Sequence, residues 1–339
     1  MNSYLKKYPM RRLCQGLTLV ELMIALVLSL LLMSGAISIF MSSKQTFKLE
    51  ENVSRIQESM RYVASRFIND FAGGGFYGCA QSSKDGNSNV TNVVSYSGGD
   101  DWKTPLYDFA QPLIGVEGAS GAPDSLTMHY AKAGVAVPVT TSMGSQTGSV
   151  PVDQNVATYS ELEAGDIISV SDCDALAIFM LTNDPGNSGL LAHDTNTTLN
   201  NVSNSEAGIQ HVFGDTRFSA ATVYEMEAVN YQVLATGPVG SKISGLFATR
   251  LGGERQLLIA GVQDFQITYG VDQDNDGSAD RYTDWDSVGS ANLDLITSLR
   301  IFLEINPGTP VADSQGKMAD DETREFTFTI KLRNRGGTI

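Results

Sequence analysis

The sequence predicts an α+β fold in which one long N-terminal helix packs on an antiparallel β-sheet domain. Three observations carry that prediction. An uncharged apolar run lies near the start, an amphipathic pattern of helical period continues it to residue 72, and the last eighty residues alternate apolar and polar side chains as half-buried strands do. Hydrophobic residues make up 42% of the 339, enough for a sizeable core, and Gly, Ser, Thr and Asn crowd the middle as turn-rich β domains require. With 38 acidic against 23 basic residues the net charge is −15, which excludes an electrostatic nucleic-acid binder.

The first element is a membrane-length helix behind a basic leader. Lys6, Lys7, Arg11 and Arg12 stand in residues 1–16 without an acid, so the remainder carries −19. No charged residue occurs from Leu22 to Ser43. As a helix the core of that run is about 30 Å long, the hydrocarbon thickness of a bilayer. The basic leader stays cytoplasmic by the positive-inside rule, which places the chain beyond Lys44 on the far side of the membrane. A plain anchor and a secretory signal cut after Ser34-Gly35-Ala36 are two readings of this stretch. Against both stands Glu21, an acid just inside the apolar segment, which costs about 2.5–3.5 kcal/mol at mid-membrane and so needs a compensating role. The helical pattern also runs on past Ala36.

The string Gly16-Leu17-Thr18-Leu19-Val20-Glu21-Leu22 resembles the leader junction of type IV prepilins and type II secretion pseudopilins. The resemblance implies cleavage between Gly16 and Leu17 by a prepilin peptidase, N-methylation of Leu17, and pairing of Glu21 with the amino terminus of a neighbouring subunit. Such pairing is physically sound, because a carboxylate and an ammonium buried together neutralise each other and either alone is an unpaired buried charge. Two positions depart from the usual pattern: Leu17 replaces Phe or Met, and Ser38 stands where many major pilins carry a helix-kinking proline.

Beyond the apolar run, Leu49, Val53, Ile56, Met60, Val63 and Phe67 recur at spacings of four and three, and no Gly or Pro interrupts from Ala36 to Ala72. The pattern predicts one helix of some fifty residues, with Gly73-Gly74-Gly75 ending it. The organisation is therefore a leader (1–16), a transmembrane and assembly helix (17–43), its amphipathic continuation (44–72) and a β-rich periplasmic domain (73–339). Within that domain 81–100 and 184–208 are polar segments of loop character, and Leu126–Tyr130, Ile167–Val170, Ala175–Leu181 and Val223–Leu234 read as strands.

Near the C-terminus, Phe265, Ile267 and Tyr269 alternate with polar residues, as do Leu299, Ile301, Leu303 and Ile305, then Phe326, Phe328, Ile330 and Leu332. The run from Gly261 to Asp272, the strand around Ile301 and the closing Leu332-Arg333-Asn334-Arg335 resemble the PilW family of type IV pilus minor pilins, related to the J-type minor pseudopilin of type II secretion. The resemblance implies a pilin-like fold, a role in priming pilus assembly, a place at the pilus tip, and three kinds of partner: other minor pilins, the major pilin and the inner-membrane assembly platform. The same architecture in a type II secretion pseudopilus, and a tip adhesin using the polar segments, are the alternatives.

Cys14 lies in the leader, which leaves Cys79 and Cys173. In an oxidising periplasm they form a disulfide closing a loop of about 95 residues, worth about 4 kcal/mol; two buried free thiols are the other reading. Asp272, Asp274, Asp276, Ser278 and Asp280 have the alternating spacing of a calcium loop, with Gly277 at the bend, but Thr283 stands where an EF-hand has its closing Glu. A solvated acidic turn fits the same residues, so calcium is a candidate and no cofactor is required. No G-x-S-x-G, H-E-x-x-H, Walker or C-x-x-C motif is present, and His129, His193 and His211 stand apart. An enzyme is not expected.

Overall fold

A computed structural model describes residues 18–78, 89–217, 220–236, 244–306 and 323–332 of the chain. Helix α1 (Leu19–Ala72) is continuous through Gly35 and Ser38. The chain divides into two compact units, one ending at Arg55 and the other beginning at Ile56.

In the first unit α1 has no core of its own. Every large apolar side chain from Leu19 to Met41 is more than half exposed. Within this stretch the Ser29 hydroxyl donates to the Leu26 carbonyl at 2.8 Å, and just beyond it Thr46 Oγ1 donates to the Ser42 carbonyl at 3.1 Å. A helix so apolar on all sides belongs in lipid or among other helices. The side chain of Leu49 lies outside the described residues, and Val53 is half-buried.

In the second unit the amphipathic stripe does what its period requires. Ile56, Met60, Val63 and Phe67 are buried, and Phe71 extends the stripe by one further position. Gly74 N–H bonds back to the Phe71 carbonyl and Gly75 takes φ +79, so the glycines stop the helix where the sequence expects.

The strands of the chain, in order, are β1 (Asn89–Asn92), β2 (Val94–Tyr96), β3 (Leu113–Val116), β4 (Ser125–Pro138), β5 (Val150–Pro151), β6 (Ile167–Ser171), β7 (Ala175–Met180), β8 (Leu190–Leu191), β9 (Thr198–Leu199), β10 (Val202–Asn204), β11 (Thr222–Ala235), β12 (Ser244–Arg250), β13 (Gln256–Ala260), β14 (Val262–Val271), β15 (Arg281–Thr283), β16 (Ile296–Ile305) and β17 (Arg324–Lys331). Two short helices, α2 (Thr104–Tyr107) and α3 (Trp285–Val288), interrupt them. β11 organises the larger sheet. One of its edges pairs with β4; the other pairs with β6 over Thr222–Glu225 and then with β12 over Val229–Ala235. β4 and β11 thus run through two regions. One holds β1, β6 and β7, and the other holds β12, β13 and α1.

A second, antiparallel sheet of order β15-β14-β16-β17 packs with α1, β12 and β13 around one core. Phe67 is its centre, 4.9 Å edge-on from Tyr231 and 5.3 Å from stacked Phe71. The three C-terminal strands read from alternation are β14, β16 and β17. The four strands read earlier in the chain lie within β4, β6, β7 and β11.

The polar segments 81–100 and 184–208 depart from the expectation of loops. Residues 79–88 lie outside the described residues, but β1 and β2 lie in the first segment, and β8, β9 and β10 lie in the second. They also pair with each other, Tyr96 opposite Val202 and Val94 opposite Asn204. A few apolar residues explain it: Val93 and Val202 are 2% exposed, so three-residue strands form where composition alone reads as turn.

Candidate functional site

Four places bear on function. At the start of α1, Thr18 caps the helix: Glu21 N–H donates to Thr18 Oγ1 at 3.2 Å and Leu22 N–H to the Thr18 carbonyl at 3.2 Å. Glu21 sits in the first turn, where the helix dipole favours a carboxylate, on an exposed face flanked by Leu19, Val20 and Leu22. Gly16 and Leu17 lie outside the described residues. By length and apolarity the helix is sufficient to cross a membrane.

The second place is the acidic loop after β14. Asp272, Asp274 and Asp276 bring one oxygen each within 4.8 Å of the others. Asp272 is buried, and its two oxygens accept from Asn275 N–H at 2.6 Å and Gly277 N–H at 2.9 Å. Asp280 does not join the three; its Oδ2 accepts from Gln273 N–H at 2.7 Å. Ser278 donates its N–H to Asp276 at 2.8 Å. Asn275 at φ 63 and Gly277 at φ 85 make the bend. The loop's own backbone therefore satisfies much of the carboxylate demand, as an Asx-rich turn does.

The third concerns the cysteines. Cys79 lies outside the described residues, and Cys173 sits in the β6–β7 turn at φ 68. The chain just before Cys79 runs along β6: Ser169 Oγ donates to the Tyr77 carbonyl at 3.2 Å, and a Cβ on Gly78 would stand 2.7 Å from that of Ser171. Neighbouring Asp172 is fully buried, accepting from Ala175 N–H at 3.0 Å and lying 2.7 Å from His211 Nε2.

The fourth was not read from the sequence. Asp70, 5% exposed, lies in the last turn of α1, where the helix dipole disfavours an acid and no basic residue follows. Its compensation comes from the sheet. Arg250 Nη2 of β12 donates to Asp70 Oδ1 at 2.7 Å, and the hydroxyl of Tyr231 on β11 donates to Oδ2. Arg66 Nε lies 3.1 Å from Oδ2 but off the hydrogen-bonding angle, so it contributes charge. Arg250 also donates to Tyr130 of β4 at 3.0 Å and pairs with Glu227 at 3.2 Å. Burial, then the Asp70 charge, raise the Tyr231 hydroxyl above the usual phenol range, which keeps it a donor. Burial likewise raises Glu227. The signal was present: position 70 falls on the buried stripe three residues after Phe67, and an acid there demands a partner.

The histidines are pins. His129 is fully buried with Nε2 2.9 Å from the Pro105 carbonyl, and burial lowers it to about 4, so it is neutral. His193 Nε2 lies 2.9 Å from the Gly148 carbonyl, and its ring packs on Phe179.

Comparison with known proteins gives two matches, at opposite ends of the chain. A family model described as Type IV Pilus-assembly protein W matches residues 240–334, which hold β12 to β17. A model of the Prokaryotic N-terminal methylation motif matches residues 11–37, which hold Gly16, Leu17 and Glu21. No curated protein and no solved structure matches.

Proposed function

We propose that this chain, a type IV pilin of the PilW family, is a minor pilin that primes pilus assembly and ends at the pilus tip. The observation that carries this is the first unit of α1, whose large apolar side chains from Leu19 to Met41 are each more than half exposed. Each Leu, Ile, Val or Met gains about 1.5–3 kcal/mol on leaving water, so that surface drives insertion into lipid and then packing against other pilin helices. The mechanism is packing rather than turnover. A prepilin peptidase cuts after Gly16, Leu17 becomes the methylated amino terminus, and Glu21 pairs with the amino terminus of a neighbour. The β-rich domain faces the periplasm and selects other minor pilins, the major pilin and the inner-membrane platform as partners.

Glu21 variants test this. Glu21→Ala removes the carboxylate and lowers pilus number, while Glu21→Asp retains the charge and part of the function. Surface pili counted by electron microscopy, beside unchanged leader removal, give the readout. Pili as abundant in Glu21→Ala as in the parent refute the pairing. Genomic neighbours separate a pilus from a secretion pseudopilus. An adhesin role for 81–100 and 184–208 predicts that deleting either segment abolishes attachment with piliation intact.

Two further assignments belong to this reading. Cys79 and Cys173 form a disulfide, supported by the course of Tyr77 and Gly78 along β6; the intact mass without reductant is then two hydrogens lighter. Calcium bound by Asp272, Asp274 and Asp276 raises the melting temperature at millimolar calcium and does not in Asp274→Asn/Asp276→Asn. A flat response in the parent leaves the turn alone.

A further inference from the structure

The far end of the apolar run of α1 carries a charge pattern of its own. No charged residue occurs over the 22 residues from Leu22 to Ser43. As helix they span about 33 Å, slightly more than the hydrocarbon layer of about 30 Å. Lys44 is the first charge beyond the run, and Lys48 follows one turn later, about 6 Å along the axis. Both ammonium groups therefore fall in the headgroup layer, which is about 5–8 Å deep on each side of the hydrocarbon. Residues three and four apart share a helix face, so Phe40, Lys44, Phe47 and Lys48 form one stripe. Phe40 and Phe47 are 66% and 67% exposed on it, and both lysines are exposed.

The helix does not neutralise these cations itself. Among the described residues the ion pairs within α1 are Arg61–Glu58 and Arg66–Asp70, although Glu50 and Glu51 stand within one turn of Lys48. Cations beyond a membrane run are also disfavoured by the rule that keeps the leader cytoplasmic, so two of them at the far end need a role. The anion at their depth is lipid phosphate, and it surrounds the helix on every side. A lysine lays its stem along apolar surface and carries its head out to that layer, while an aromatic ring between two such stems meets the ends of the acyl chains.

We propose that Lys44 and Lys48 bind the phosphates of lipid headgroups in the leaflet farther from the leader, with the Phe47 ring at the acyl boundary between them. This rests on the reading of α1 as a membrane-held helix. Loss of Lys6, Lys7, Arg11 and Arg12 with the leader makes this pair, together with the new amino terminus, the headgroup attachment of the helix. Solid-state NMR of the full-length chain tests it, in vesicles of phosphatidylethanolamine and phosphatidylglycerol and in buffer free of phosphate, so that every phosphorus belongs to a lipid. Phosphorus within a few ångströms dephases the signal of an isotope-labelled lysine Nζ. Expected is dephasing in the parent, its loss to the lipid-free level in Lys44→Gln/Lys48→Gln, and no change in Lys132→Gln, which removes a lysine paired with Glu225. No dephasing in the parent, or equal dephasing in the double variant, overturns the proposal. Contact of Leu26 and Leu30 with acyl chains is read in the same vesicles. With that contact present, a failed phosphate contact counts against the lysine site alone; its absence overturns the membrane reading and the proposal together.

Discussion

The family-matched end of the chain and the middle region solve the same problem differently. β14, β16 and β17 build one antiparallel sheet of strands eight to ten residues long that shares a core with α1, so its stability lies in continuous apolar faces such as Phe265, Ile267 and Tyr269 beside Phe67. The middle region, between β1 and residue 217, uses strands of two to six residues apart from β4, and single polar side chains stand in for missing ladder bonds. Asn204 is the clearest: its amide donates to the Met180 carbonyl at 2.9 Å and accepts from Met180 N–H at 2.8 Å, as another strand would. Tyr159 OH joins the Pro185 carbonyl and Gly189 N–H in the same manner. Periodicity carries information about the first kind of construction and little about the second.

The largest expected effect tests the apolar half. Phe67→Ala removes a fully buried ring that touches α1, β11 and both sheets, and destabilises the full chain in detergent by about 3–5 kcal/mol in chemical denaturation. Next comes the clasp. Asp70→Ala leaves Tyr231 without its acceptor and Arg250 with only Glu227 and Tyr130, and costs about 3 kcal/mol, while Asp70→Ala with Arg250→Met costs less than the two singly. Additive losses would show that the contacts are independent.

A pH measurement sharpens the contrast on β4. His129 is lowered from 6.5 to about 4 by burial, so between those values the unfolded chain binds a proton that the folded one does not. Its contribution is complete above pH 6.5 and is lost as pH falls toward 4, about 3 kcal/mol in all. Burial raises Glu117 and Asp124, which work in the opposite direction, so the readout is the parent compared with His129→Phe. The parent loses more stability on acidification; equal slopes would contradict a neutral buried imidazole. The smallest effect tests the middle. Asn204→Ala strands two backbone groups of Met180 and costs about 2 kcal/mol, and the added hydrogen exchange is confined to β2, β7, β9 and β10.

Helical and strand periods made α1, β14, β16 and β17 legible from residues alone, because each has one buried face over many residues. The methylation motif that a family model matches over residues 11–37 was legible because an acid in an apolar run needs a reason. The need of Asp70 for a partner was legible, but the partners were not, since Tyr130, Tyr231 and Arg250 come from three strands distant in sequence. The pairing of β2 with β10 escaped for the same cause, being non-local and three residues long. Of the acidic loop, the three residues Asp272, Asp274 and Asp276 converge as spacing suggested. Asp280 instead supports the backbone at Gln273, a choice that depends on loop geometry and not on spacing.

Removal of the leader from a helix still held in the membrane is the step on which the proposed assembly depends. Intact-mass determination of the mature protein, from cells that carry a prepilin peptidase, measures this directly. A chain beginning at methylated Leu17 is the predicted result. One that keeps Met1 and its basic leader, or begins at Ile37, would contradict it.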